Sequence, residues 1–150
     1  MNFYIASGLK NWKQVKELSD KLENQGWKNT HNWAKNGLVS NTDSTKEDLG
    51  KISREQIQAI IKSDVVLIII TMGRGTHVEL GACITLCELG LPQKIYLYSE
   101  DPEYFEICSK TAGAYHNEFV IQKTGDVNKV VSDIINDNND LKNGKTKQCK

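Results

Sequence analysis

An uninterrupted apolar run from Val65 to Ile70 constrains the fold of this chain more than any other feature of its sequence. The run is rich in β-branched residues and shows no polar alternation, so it predicts a strand covered on both faces. Such strands occur in parallel sheets with helices on each side. Glycines 73 and 75 follow the run, and a helical pattern then extends from about Thr76 to Leu89. In open α/β proteins, a turn at this end of a strand borders the ligand crevice.

The carboxylate of Glu79 is the main candidate for chemistry beside this turn. A helix that begins near Thr76 places Glu79 in its first turn. The free backbone N–H groups and the positive dipole end there suit an anion. An acidic residue in a first turn also commonly compensates the helix dipole. The pattern alone leaves both interpretations open.

Strand and helix patterns alternate along the rest of the chain. Strands are predicted at residues 3–7, 27–33, 65–71, 94–99 and 119–122, and helices at about 12–25, 52–61, 76–89, 105–112 and 127–135. Ser53 is a candidate N-cap of the second helix, with Gln56 at its N3 position. The polar residues 34–50 before it predict a long loop.

This order predicts an α/β fold with a doubly wound, flavodoxin- or Rossmann-like, five-stranded parallel sheet of strand order 2-1-3-4-5. The switch point then brings residues 6–10 opposite residues 73–76. At 150 residues and 16.9 kDa the chain fits one domain, which we assign to residues 1–137. The Asn-, Asp- and Lys-rich residues 138–150 predict a polar, disordered tail.

Composition narrows the choice of partner and compartment. Lys+Arg and Asp+Glu number 19 each, so we expect neither a nucleic-acid polymer nor a membrane as partner. No run has the length of a membrane span and no signal peptide is evident. The four cysteines form no C-x-x-C pair, which favours a cytoplasmic location. The three histidines are isolated, so we expect no metal site, and no cofactor is expected.

Three familiar phosphate-site and hydrolase motifs are absent from the sequence. The turn at residues 73–78 lacks the Gly-Lys-Ser/Thr ending of a P-loop and the third glycine of a dinucleotide fingerprint. No G-x-S-x-G motif occurs, which argues against a serine hydrolase. Glu79 therefore remains the main candidate for chemistry at this turn, with Arg74 and His77 near it in the sequence.

The strand FYIAS at residues 3–7 and the segment GTHVELGA at residues 75–82 resemble the nucleoside 2-deoxyribosyltransferase family, which includes the 2′-deoxynucleoside 5′-phosphate N-hydrolases. The resemblance spans roughly residues 3–122. It implies that Glu79 is the nucleophile and that Tyr4 positions it; Tyr4 is equally an ordinary core residue of a strand. A carboxylate against the anomeric carbon can trap the oxocarbenium-like centre as a glycosyl ester, which water or a second base then attacks.

The resemblance also points to two further acids, which this chain lacks. In the family, an aspartate that contacts the sugar or base lies eight residues before the position of Asp64, and in this chain that position is Gln56. A second family acid lies in the glycine turn, and its position here is Gly73. Glu55, next to Gln56, takes the place of the family aspartate if the helix register shifts. Otherwise it is an ordinary acid of a first helical turn.

Other residues are candidates for substrate binding. Arg74 and the helix N-terminus suit a 5′-phosphate, although Arg74 and His77 also fit a solvated loop. Trp33 and His31 suit stacking on a base, and Trp33 fits a buried anchor equally well. The candidate substrate-binding residues are Ala6, Ser7, Gly8, Trp33, Gly73, Arg74, Gly75, Thr76 and His77.

The expected activity is cleavage or transfer of the N-glycosidic bond of a deoxynucleoside or its 5′-monophosphate by a glutamate nucleophile. The alternatives are a non-catalytic nucleotide or nucleotide-sugar binding module of the same fold, and a hydrolase of another ribosyl compound. Family members form dimers whose sites borrow residues from the partner, which implies a homodimer here with residues beyond Tyr98 near the partner's site.

Overall fold

The structure, a computed structural model, describes residues 1–35, 44–70 and 74–142. Five parallel strands form one sheet in the order β2-β1-β3-β4-β5. The strands are β1 (Asn2–Ala6), β2 (Lys28–Asn29), β3 (Val65–Ile69), β4 (Lys94–Ser99) and β5 (Val120–Thr124). The predicted fold class and strand order are confirmed.

Within the described residues, five α-helices connect and cover the strands. They are α1 (Trp12–Glu23), α2 (Lys46–Ile61), α3 (Arg74–Glu88), α4 (Pro102–Ser109) and α5 (Val127–Lys142). Short 3₁₀ helices at Leu9–Asn11 and Gly113–His116 precede α1 and β5. Within the described chain, no helix is both long and apolar enough to cross a membrane.

The sheet separates two apolar core layers. Phe3, Ile5 and Leu67 pack with α1 and α5 on one face, while Tyr4 and Ala6 pack with α2, α3 and α4 on the other. Because side chains alternate along a strand, β3 contributes to both layers and is buried throughout. The absence of polar alternation in its sequence is therefore explained.

The second helix begins earlier than the apolar pattern predicts. The side chain of Thr45 accepts a hydrogen bond from the backbone N–H of Asp48, and Asp48 accepts one in return from the backbone of Thr45. This capping box starts α2 at Lys46. The predicted cap at Ser53 and Gln56 is wrong, because both residues lie inside the helix. Of the predicted loop, residues 36–43 lie outside the described residues.

Other element boundaries also differ from the prediction, including that of α4, which spans Pro102–Ser109 rather than about 105–112. Strand β2 is limited to Lys28–Asn29, and α3 begins at Arg74 rather than near Thr76. Helix α5 continues past residue 135 to Lys142. The expected domain boundary after residue 137 thus falls inside this helix. Asn138, the next residue, is buried, and its side chain donates to the hydroxyl of Tyr96 and to the carbonyl of Ile134. Residues 143–150 of the predicted tail lie outside the described residues.

Candidate functional site

A cavity of about 310 Å³ lies at the carboxyl end of β1, between α2 and α3. This is the predicted side of the sheet, at the switch point between β1 and β3. Its volume is at the lower end of the roughly 300–1,000 Å³ that small-molecule sites occupy. The lining residues are Ser7, Gly8, Leu9, Leu49, Ile52, Ser53, Gln56, Gly75, Thr76 and Glu79.

Glu79 borders this cavity with a side chain that is nearly buried, since only 7 % of the residue is exposed. Because α3 begins at Arg74, Glu79 lies in the second turn, and the first turn contains no acidic residue. The expected first-turn position is therefore wrong. Compensation of the helix dipole, which falls off within the first turn, does not explain why this position is acidic.

The hydroxyl of Tyr4 donates a hydrogen bond of 2.7 Å to Oε1 of Glu79. Tyr4 lies in β1 and is fully buried. Alternation along β1 directs its ring to the face covered by α2 and α3. The bond holds one carboxylate oxygen of Glu79 in a fixed position at the cavity wall.

Burial dominates the electrostatics of this pair. It raises the pKa of Glu79 above its ordinary value of 4.5, and the hydrogen bond from Tyr4 opposes that rise. Burial also raises the pKa of Tyr4, and the neighbouring Glu79 raises it further. Tyr4 therefore stays protonated and serves as a hydrogen-bond donor.

Helix α2 also contributes residues to the cavity wall. Leu49, Ile52, Ser53 and Gln56 recur at the three- and four-residue spacing that places side chains on one helix face. Glu55 is exposed outside this face and lies 4.0 Å from the ammonium of Lys51. The register shift that would bring Glu55 into the site does not occur, and Gln56 occupies the position.

The other residues predicted for the site are brought together only in part. Ser7, Gly8, Gly75 and Thr76 line the cavity. Ala6 is buried beneath it in the core.

Arg74, His77 and Trp33 are not among the lining residues. Arg74 is exposed in the first turn of α3, and Nε2 of His77 lies 2.8 Å from the hydroxyl of Tyr115. The indole of Trp33 donates to the carbonyl of Ile5 and packs against both core layers, which agrees with the anchor interpretation. Gly73 lies outside the described residues.

Leu49, Ile52 and Ser53 were not predicted to line the site. Their signal was the helical spacing from residue 49 to residue 56, but the predicted helix began too late to include all of it. The Thr45–Asp48 capping pair, which is visible in the sequence, would have corrected the start of the helix.

A larger groove of about 440 Å³ lies between α1 and α5, on the other face of the sheet. Its lining residues include Lys21, Asn24 and Asn136 but no carboxylate. The smaller cavity with Glu79 is therefore the candidate functional site. Among the described residues, no group of three or more His, Cys, Asp or Glu side chains could hold a metal ion.

Solved structures that share this fold include two enzymes. The CMP N-glycosidase BcmB of Clostridium botulinum aligns with a TM-score of 0.58 and 16% identity, over 89% of this chain and 97% of that one. The 2-deoxyribosyltransferase of Bacillus psychrosaccharolyticus aligns with a TM-score of 0.63 and 20% identity, over 87% of this chain and 90% of that one. No protein-family model and no curated protein sequence matches the chain. The family resemblance seen in the sequence is thus confirmed at the level of the fold, which this chain shares with an N-glycosidase and a deoxyribosyltransferase.

Proposed function

We propose that the protein cleaves or transfers the N-glycosidic bond of a deoxynucleoside or its 5′-monophosphate, with Glu79 as the nucleophile. The observation that carries the proposal is the buried Glu79 carboxylate at the wall of the switch-point cavity, held by the hydroxyl of Tyr4. The activities of the two solved proteins described above, an N-glycosidase and a deoxyribosyltransferase, support the same class of chemistry.

The proposed reaction has two displacements. The Glu79 carboxylate attacks the anomeric carbon while the base leaves with the electron pair of the C–N bond, which gives a glycosyl ester. Water, or a second base in a transfer reaction, then attacks the same carbon and releases the carboxylate. Because each step inverts the anomeric carbon, the product of transfer retains the original configuration.

Tyr4 acts in this proposal through Glu79. Its hydrogen bond occupies Oε1 and leaves Oε2 to attack. It also stabilises the ionised carboxylate and so lowers its pKa, against the effect of burial. A nucleophile must be ionised, so the bond favours the reactive state at a given pH.

The residues of the cavity suit a sugar next to the carboxylate. We propose that Ser7, Gly8, Gly75 and Thr76, which line the cavity beside Glu79, surround the sugar. Arg74, the first residue of α3 and the neighbour of Gly75 in the chain, would contact a 5′-phosphate.

One observation favours the alternative of a non-catalytic binding module. The position that the family resemblance assigns to an acid is occupied by the neutral Gln56, which lines the same cavity as Glu79 and hydrogen-bonds to Tyr4. A protein that binds a nucleotide or nucleotide sugar without cleaving it needs no second acid. Turnover distinguishes the two functions.

The direct test is base release by the wild type and by Glu79→Gln, with deoxynucleosides and their 5′-monophosphates as substrates. We expect the substitution to reduce turnover at least about a thousandfold, as loss of a catalytic nucleophile does. Glu88→Gln is the matched control, because Glu88 is an exposed residue at the other end of the same helix. Retained turnover in Glu79→Gln would remove Glu79 from the mechanism, and binding without turnover by the wild type would favour the alternative.

We also propose that the protein acts as a cytoplasmic homodimer. Cys83, Cys87 and Cys108 are free thiols in the structure, which suits a reducing compartment. The dimer follows from the family resemblance.

A further inference from the structure

Among the described residues of one protomer that line the cavity, Glu79 is the only charged one. The remaining polar side chains there belong to serine, threonine and glutamine, and the apolar ones to leucine and isoleucine. Glu55, the nearest acid in sequence to Gln56, is exposed beside Lys51 instead. In the two internal segments outside the described structure, residues 36–43 and 71–73, Asp43 is the sole ionisable side chain in the sequence.

This arrangement has a consequence for the leaving group. A neutral nucleobase departs as an anion unless an acid protonates it, and such general acid catalysis contributes about 10²–10⁴-fold in rate. The amide of Gln56 has no proton to give at neutral pH. Glu79 must be ionised to attack, so it cannot also protonate the base in the same step.

We propose, on the basis of the proposed function, that the preferred substrates are N-glycosides whose base carries a fixed positive charge, such as a pyridinium or an N-alkylated purine. When the C–N bond of such a substrate breaks, the electron pair neutralises the ring, so the base leaves as a neutral molecule. The new bond joins Oε2 of Glu79 to the anomeric carbon. Water then displaces the carboxylate and loses one proton to the solvent. The net products are the neutral base, the free sugar and one proton.

Electrostatics in the cavity support the same preference. The cationic ring nitrogen is bonded to the carbon that Glu79 attacks, so the two opposite charges lie close together. The carboxylate is nearly buried, where water screens the attraction less than at the surface. The described residues that line the cavity include no lysine or arginine that would oppose a cation.

The kinetic test compares substrates that differ in the charge of the base. The 2′-deoxyriboside of nicotinamide carries a pyridinium nitrogen, and 2′-deoxyadenosine is its neutral counterpart; nicotinamide riboside and adenosine form the matching ribose pair. We expect kcat/KM to be at least about 100-fold higher for the cationic member of the pair that is turned over. Values within tenfold of each other would overturn the inference while leaving the proposed function intact. Failure of these four substrates, and of other deoxynucleosides and their 5′-monophosphates, to react would overturn the proposed function itself.

A binding test separates charge from shape. A benzamide C-riboside has nearly the shape of nicotinamide riboside but no charge and no bond that can be cleaved. We expect the cationic ligand to bind Glu79→Gln at least tenfold more weakly than it binds the wild type under single-turnover conditions, and the neutral analogue to bind both equally. Equal losses for both ligands would contradict the electrostatic preference.

Asp43→Asn tests whether an acid outside the described residues assists the leaving group. We expect the ratio of kcat/KM between cationic and neutral substrates to stay unchanged in this variant. A selective loss of turnover of the neutral substrate would identify Asp43 as a general acid and overturn the inference.

Discussion

Tyr4 and Glu79 are 75 positions apart in the sequence, and the 2.7 Å hydrogen bond between them joins the first strand to the helix that follows the central one. The parallel pairing of β1 with β3 brings the two side chains within hydrogen-bond distance. It aligns Tyr4 with Val66 and so places α3 over the ring of Tyr4. The carboxylate is thus held by the sheet as well as by its own helix.

The first prediction concerns Tyr4→Phe. Without the hydrogen bond, burial alone acts on the Glu79 carboxyl, so its pKa rises further above the ordinary range. We expect the acidic limb of the kcat/KM profile to move to higher pH, with a loss of stability of about 1.5–3 kcal/mol. Tyr98→Phe is the control, because it removes the hydroxyl that donates to Gly125 on the other core layer. An equal pH shift in both variants would contradict the positioning role of Tyr4.

The second prediction concerns stability and pH in Glu79→Gln. The folded protein raises the pKa of Glu79, so between the unfolded and folded pKa values the native state binds more protons than the unfolded state. Stability from this group is therefore full at low pH and is lost as pH rises through the folded value. We expect Glu79→Gln to gain stability relative to the wild type as pH rises from about 4 toward neutrality, by thermal unfolding. A difference that is constant with pH would show that burial does not perturb the carboxyl.

Gln56→Glu provides a gain-of-function prediction. An acid at this wall of the cavity could protonate a departing base, so we expect turnover of neutral nucleosides to rise relative to cationic ones. Gln58→Glu is the control, because Gln58 lies on the same helix but is exposed. An unchanged ratio in Gln56→Glu, with the fold preserved, would show that position 56 does not reach the leaving group.

Arg74→Ala tests recognition of a phosphate. We expect the wild type to bind a deoxynucleoside 5′-monophosphate at least tenfold more tightly than the nucleoside, because a charge-assisted hydrogen bond contributes about 1.5–3 kcal/mol. The preference should weaken with salt and disappear in Arg74→Ala but not in Arg54→Ala, a change at the chain's other arginine. Equal affinities of the wild type for both ligands would exclude the phosphate role.

The assembly can be measured directly. We expect light scattering to give twice the 16.9 kDa mass of one chain at assay concentrations. A stable monomer that retains full activity would contradict the proposed dimer.

Much of the fold could be predicted because the strands carry strong local signals. The unbroken apolar run of β3 required cover on both faces, and the alternation of strands and helices then limited the sheet to parallel arrangements. Boundaries were harder to predict where polar residues form helix. The early start of α2 depends on a capping box rather than on apolar spacing, and the long α5 depends on the buried amide of Asn138.

The site was less predictable than the fold because its geometry depends on tertiary packing. The sequence indicated Glu79 and Tyr4 through a family resemblance, and the structure brings them together. The sequence alone could not show that Gln56 rather than Glu55 faces the cavity, because the rotation of α2 about its axis determines which of the two does so. The sequence around Trp33 does not distinguish a base-stacking residue from a buried anchor. The hydrogen bond from its indole to the carbonyl of Ile5 supports the anchor.

The most direct test of the account is a search for the glycosyl ester on Glu79. The wild type is mixed with a cleavable N-glycoside, quenched with acid during turnover, and digested for mass spectrometry. We predict a peptide that contains Glu79 and is heavier by one glycosyl group, absent from Glu79→Gln and present in Glu88→Gln. Base release by the wild type without this adduct, together with undiminished release by Glu79→Gln, would contradict the central claim.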